Sequence, residues 1–285
     1  MMRDLGANPR FCAINTSTLG FQAPVEEVIE AVAAKGFGGI SPWRREVEGR
    51  EVKAIARRIR DAGLSIPGYC RSTFIPATDR TGFEANVEAN RAAISDAAVL
   101  GARSFVMVVG GLPAGSKDIG AARAQVAEAT GILLEHGRSV GVRLALEPLH
   151  PVYAADRSCV SLLSEVLDMC DAIEGNAAEP WLGTYIDVYH TWWDPNLAAG
   201  IARAGAARRI FGFHVCDWLV PTEDVLNDRG MMGDGVIDVP KIRAMVEGAG
   251  YNGHVEVEIF SARNWWKRPM AETLTVCRER LASAT

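Results

Sequence analysis

Glu147 in LALEPLH, Asp187 in GTYIDVYH, His214 in FGFHVCDW and Glu258 in HVEVEIF each stand at the C-terminal end of a short apolar run. Runs that carry Val, Ile, Leu and Ala on both faces read as buried parallel strands. An ionised carboxylate in such a place is costly unless it is paired or bound to a metal. Three oxygen donors and one imidazole suit a hard or borderline divalent ion: Mn²⁺ or Mg²⁺ first, Co²⁺ or Zn²⁺ next. Around an octahedral ion, four protein ligands leave about two positions for substrate oxygens or water, the open coordination of a catalytic site. Four unrelated strand-end salt bridges are the alternative, and the placement on consecutive strands weighs against it. Glu256 lies two residues before Glu258 and faces the same side of a regular strand. Glu258, nearer the strand end, is the expected ligand; Glu256 is expected deeper, paired with a base such as Arg143.

Other polar residues fall just beyond these positions, at the rim where a substrate would sit. His150 is three past Glu147, and His190 is three past Asp187, placed to donate a hydrogen bond to a substrate oxygen. Asp217, three past His214, could orient an imidazole or bind substrate, or simply cap its loop. Arg229 in DRGMMGDG could clamp a carbonyl or hydroxyl oxygen, or pair on the surface with Asp224 or Asp228. Trp43 in SPWRR and Arg71 fall in the same set of loops, as do Trp192, Trp193, Trp218, Trp265 and Trp266. Aromatic faces there could wall a sugar site, pack loops, or form the contact of a homo-oligomer.

These side chains need a scaffold that brings strand ends together. Strands are expected at 11–16, 37–41, 64–70, 104–109, 142–147, 183–188, 210–215 and 254–259. Helices are expected between them: one opened by Pro24 and closed by Gly36, then 50–62, 83–100, 120–140, 159–174, 196–204, 239–249 and 268–283. The junctions AKGFGGI, DAGLSIPG, LGARSFVMV and VGVRLALEP end a helix at Gly and start a strand within a few residues, the loop chemistry of repeated β-α units. Alternation of this kind predicts an α/β protein with a single (β/α)8 (TIM) barrel over 11–285, preceded by a polar extension at 1–10. A doubly wound sheet is the runner-up, but no Gly-rich phosphate fingerprint follows the first strand. The longest βα connections, 148–158, 189–195 and 216–238, lie on the face where a barrel keeps its catalytic groups.

Bulk properties narrow the function. At 285 residues and 48% hydrophobic, the chain can bury a sizeable core. A formal net charge of -5 lacks the basic footprint of a nucleic-acid binder. No run approaches a membrane span, and the N-terminus has no signal-peptide pattern, so a cytoplasmic protein is expected. The six cysteines form no C-x-x-C pair and are expected as reduced buried thiols. GGLPAGSK at 110–117 is a weak phosphate-loop candidate and reads more simply as a turn.

The motifs EPLHP at 147–151, DVYH at 187–190, HVCD at 214–217, GDGVID at 233–238 and VEIF at 257–260 resemble the xylose-isomerase-like barrel superfamily, and within it the sugar phosphate isomerases/epimerases. The resemblance runs from NTSTLG at 15–20 to VEIFSARNWWK at 257–267. It implies that Glu147, Asp187, His214 and Glu258 hold a divalent metal. As in ketose 3-epimerases and hydroxypyruvate isomerases, it implies that Glu147 and Glu258 also form the acid/base pair, while His190 and Arg229 touch substrate. A metal on a ketone and its neighbouring hydroxyl acidifies the adjacent C–H by stabilising an enediolate. The expected function is therefore a metal-dependent isomerase or epimerase of a small keto sugar or polyol. A lyase or dehydratase acting on a keto sugar or inosose uses the same first step. An endonuclease-IV-like repair enzyme shares the barrel but would need several zinc ions and more His ligands than the five present. A non-catalytic barrel binding protein is the remaining alternative.

Overall fold

In the computed structural model, which describes residues 2–285, strands and helices alternate along the chain. The strands are β1 (Cys12–Asn15), β2 (Gly39–Ser41), β3 (Tyr69–Cys70), β4 (Ser104–Met107), β5 (Arg143–Leu146), β6 (Leu182–Asp187), β7 (Ile210–Val215), β8 (Asp217–Trp218), β9 (Arg229–Gly230) and β10 (Val255–Val257). The helices are α1 (Val25–Ala34), α2 (Arg44–Val47), α3 (Val52–Asp61), α4 (Arg80–Leu100), α5 (Ile119–Val140), α6 (Leu163–Glu174), α7 (Val188–Thr191), α8 (Leu197–Ala206), α9 (Val239–Gly248) and α10 (Met270–Ser283). Eight strands pair in parallel in the order β2-β1-β10-β7-β6-β5-β4-β3, while β8 and β9 form a small antiparallel ribbon. Isolated parallel bridges Gly39↔Ser65 and Trp43↔Cys70 join the two ends of the sheet. The result is a TIM barrel, as the alternation of elements predicts.

Side-chain parity decides what faces the barrel axis. Phe105, Met107, Leu144 and Leu146 pack outward into the main core against the helices. Val106 and Ala145, between them in sequence, join Cys70 and Tyr185 in a separate inner cluster. Glu147 shares the parity of Ala145, and Asp187 that of Tyr185, so both carboxylates emerge on the axis side just above this layer. Tyr185 fills the barrel because Gly212 leaves room for it: a Cβ there would lie 2.0 Å from the ring.

Several elements differ from the sequence expectation. The run 64–70 pairs as a strand only at Tyr69–Cys70. Pro67 has no N–H for a ladder, and Ser65 makes only its isolated bridge to Gly39. Helix α4 starts at Arg80 rather than 83 because the Asp79 side chain caps it, accepting from the Gly82 N–H at 2.7 Å. Helix α6 starts at Leu163 rather than 159; Glu165 reaches back to the N–H groups of Ser161 and Leu162 and fixes its first turn. Segment 216–238 is held rather than loose: the Tyr153 and Tyr189 hydroxyls both donate to the Val225 carbonyl, at 2.6 and 2.7 Å. Near the N-terminus, Leu5 is buried and Arg3 bonds Glu247, so this stretch packs against α9 at the strand-start end.

Candidate metal centre and substrate cavity

The pairing register sets the site. Asp187 aligns with His214 across β6 and β7, and His214 aligns with Glu256 across β7 and β10. Glu258 follows two residues on, and Glu147 follows the last residue of β5. Ligand atoms of Glu147, Asp187, His214 and Glu258 lie within 4.8 Å of one another, and all four residues are buried. Ligands at about 2.1 Å from a common ion are at most about 4.2 Å apart, so small side-chain shifts close the set around one centre.

His214 organises the group. Its Nδ1 is 2.9 Å from Glu147 Oε1 and 3.7 Å from Glu258 Oε2. Its Nε2 is 3.2 Å from Glu256 Oε1, without the alignment of a formed hydrogen bond. Glu256 also accepts from Asn15 Nδ2 at 3.0 Å. The imidazole thus presents one nitrogen to the candidate ligands and the other to an orienting carboxylate, an arrangement that fixes ring direction and ligand basicity in metal sites. The expected Glu256–Arg143 pair does not form. Arg143 begins β5 at the opposite end of the barrel, exposed over the Phe211 ring.

The electrostatics favour a cation. Burial pushes the carboxyls of Glu147, Asp187 and Glu258 above their ordinary range, and the charges of His214 and Arg229 only partly offset it. Burial opposes charge on His214, but Glu258, Glu256 and Glu147 outweigh it and hold that pKa well above the usual value. Carboxylates this crowded are the condition a divalent ion relieves. The donor set therefore fits a metal. Cys70 Sγ also approaches His214 and Glu258. Burial and three neighbouring glutamates push its thiol well up, which makes it a poor ligand beside the carboxylates.

The remaining sequence candidates divide into two groups. Arg229 is buried, with Nη1 at 2.9 Å from Asp187 Oδ2 and 3.2 Å from Glu258 Oε2, and Nη2 at 3.2 Å from His190 Nε2. Its guanidinium lies over the rings of Tyr189 and Phe260. His190 Nδ1 accepts from the His150 N–H, and burial together with Arg229 holds the ring well below its ordinary pKa, hence neutral. Trp43, Arg71, His190 and Arg229 line a cavity of about 320 Å³ with Glu147 and Glu258 at its base.

His150 and Asp217 are not brought to that cavity. The His150 ring packs against Trp193 and Trp218. Asp217 is fully buried and accepts from the N–H groups of Trp218, Gly233, Gly235 and Ile237, which makes it the staple of the long loop after β7. Sequence reasoning passed over Asn15, which links Glu256 to the Trp43 indole, and the cavity residues Tyr153, Arg157 and Phe260. All six cysteines are free and buried. No helix among the described residues is long and apolar enough to cross a membrane.

A family model described as xylose isomerase-like TIM barrel matches residues 29–280. Protein SMc04130 from Sinorhizobium meliloti 1021 is similar in structure, with 49% identity, TM-score 0.92, and coverage of 96% of this chain and 98% of that one. The IOLI protein crystallised with a zinc atom shares the fold at 16% identity and TM-score 0.81, over 96% of this chain and 97% of that one. A D-psicose 3-epimerase solved in the presence of D-fructose does so at 16% identity and TM-score 0.75, over 95% and 96%. No curated protein matches the sequence.

Proposed function

Because the chain belongs to the xylose isomerase-like TIM barrel family, we propose that it is a divalent-metal-dependent isomerase or epimerase of a small keto sugar or polyol. The observation that carries this is the convergence of Glu147, Asp187, His214 and Glu258 on one centre, with Glu147 and Glu258 lining the adjoining cavity. The zinc in the IOLI protein and the sugar epimerases among the structural neighbours support it.

A bound divalent ion supplies Lewis-acid polarisation of a carbonyl and its neighbouring hydroxyl. Glu147, Asp187, His214 and Glu258 would hold it. Glu147 and Glu258 reach the cavity from β5 and β10, so one takes a proton from the carbon beside the carbonyl and the other returns one. His190, kept neutral, positions a substrate oxygen. Arg229 fixes the directions of Asp187 and Glu258, and Trp43 with Phe260 walls the cavity against water.

The test is incubation of metal-loaded protein with 2-keto and 3-keto sugars in D₂O. Retained mass apart from deuterium uptake at the carbon beside the carbonyl supports the proposal. Loss of water or an aglycone would assign an elimination instead, and no exchange with any sugar would contradict the proton-transfer roles.

A further inference from the structure

The cavity is bipolar. Its base is acidic, but three arginines, Arg45 on α2, Arg71 after β3 and Arg157 in the loop after β5, face it from the other side. The fully buried arginines, by contrast, are each matched by a carboxylate: Arg209 by Glu174, Arg243 by Glu247, and Arg229, in the same cavity, by Asp187 and Glu258. Among the described residues these three have no ion-pair partner within 4.0 Å. Arg71 makes one hydrogen bond, to the Ser72 carbonyl at 3.0 Å, and its guanidinium lies 4.4 Å from the centre of the Phe74 ring. Arg45 is supported by the Phe21 ring at 4.4 Å, and Arg157 by the Tyr153 ring at 5.9 Å. Aromatic seats of this kind hold the planar forks in place while leaving their N–H donors free.

Arg71 and Arg157 are half-buried and Arg45 is exposed, and like charges that share a cavity with no ion-pair partner of their own repel one another. Burial and the charges of Arg157 and Arg44 pull the Arg71 pKa down to about 10. Arg44 has its own partner in Glu48. Asp224, whose carboxyl feels the charge of Arg157, is committed to the N–H groups of Leu226 and Asn227. The unmatched positive charge is therefore available to a ligand.

We infer that the substrate carries an anionic group, a carboxylate or a phosphate, which Arg71 and Arg157 bind with Arg45 at the mouth while its carbonyl end meets Glu147 and Glu258. This deepens, and rests on, the proposal that the cavity takes a keto sugar. The chemical class becomes a keto sugar acid or a ketose phosphate, oriented end to end by the two charged walls. Paired N–H···O⁻ bonds from arginine suit either anion.

Calorimetry on metal-loaded protein with D-fructose, D-fructose 6-phosphate and 5-keto-D-gluconate tests this on six-carbon skeletons. At least one anion should bind tenfold or more tighter than D-fructose, and the anion preferred identifies the group. In the double variant Arg71→Gln/Arg157→Gln that preference should collapse to within about twofold, with metal content unchanged. Wild-type protein that binds no anion, or no anion better than D-fructose, would overturn the inference. So would a double variant that keeps the preference. Deuterium exchange reports separately: anion preference without exchange leaves the cradle standing and removes the proton-transfer proposal, and exchange without anion preference does the reverse.

Discussion

Both ends of the barrel bury charge, but they do so differently. At the strand-start end, Arg209 bonds Glu174 Oε2 at 2.7 Å and also donates to the carbonyls of Leu182 and Gly175. Glu174 in turn accepts from the N–H groups of Trp181 and Leu182 and from Arg138. Burial works against these charges, yet the hydrogen bonds win and hold Glu174 and Glu247 below their ordinary range. At the strand-end face the carboxylates outnumber their cationic partners, and burial leaves Glu147, Asp187 and Glu258 raised. The Glu256 Oε2 atom has no partner at all. A closed network of buried charge serves the fold; an open one waits for a ligand. The difference lies in the carboxylates: both oxygens of Glu174 are bonded, whereas Glu256 Oε2 is not, although Arg209 Nε is also without a partner.

The contrast breaks most visibly at Glu258. Glu258→Gln keeps the volume and removes one proton carrier, so solvent-exchange turnover should fall about 10³- to 10⁴-fold. Its thermal midpoint should hold or rise, because a crowded buried carboxylate is gone; a large loss of stability would place Glu258 with the closed networks. Arg209→Met is the mirror case. Stripping the partner from buried Glu174 should cost about 3–5 kcal/mol in denaturant unfolding, with turnover unchanged at a temperature where the variant is folded. Asp217→Ala lies between the two. It frees four loop N–H groups, so proteolysis within 219–228 should accelerate and KM should rise roughly tenfold as Arg229 loses its seat. The smallest effect concerns pH. Glu174 has a depressed folded pKa, so its contribution is present above the unfolded carboxyl pKa and lost as pH falls through the folded one. In acid titrations followed by circular dichroism, Glu174→Gln should make that limb shallower.

The open network was legible in the sequence because it obeys strand parity. Glu147, Asp187, His214 and Glu258 each end an apolar run, and period-2 alternation then forces them onto the axis side. The barrel was legible for a related reason, since Gly-closed helices mark most returns to the sheet; α8, which returns through Ala207 and Arg208, is an exception. Glu256 illustrates where that logic stops. Parity placed it correctly on the inner face, but its height along the barrel, level with His214 rather than near Arg143, depends on inter-strand register. For Asp217 the sequence offered loop capping only as one of three roles, because three of its partners are main-chain N–H groups 16 to 20 residues downstream, which leave no side-chain pattern. Arg157 and Tyr153 sit in an irregular loop whose path only the fold defines. Pro67 shortened β3 through a missing donor that hydrophobicity does not register.

Metal-to-protein stoichiometry tests the central claim most directly. Protein loaded with Mn²⁺, desalted and measured by elemental analysis should retain about one ion per chain, and Asp187→Asn should retain far less while keeping its circular dichroism. Wild-type protein that holds no ion, or a variant that holds it equally well, would contradict a shared centre at Glu147, Asp187, His214 and Glu258.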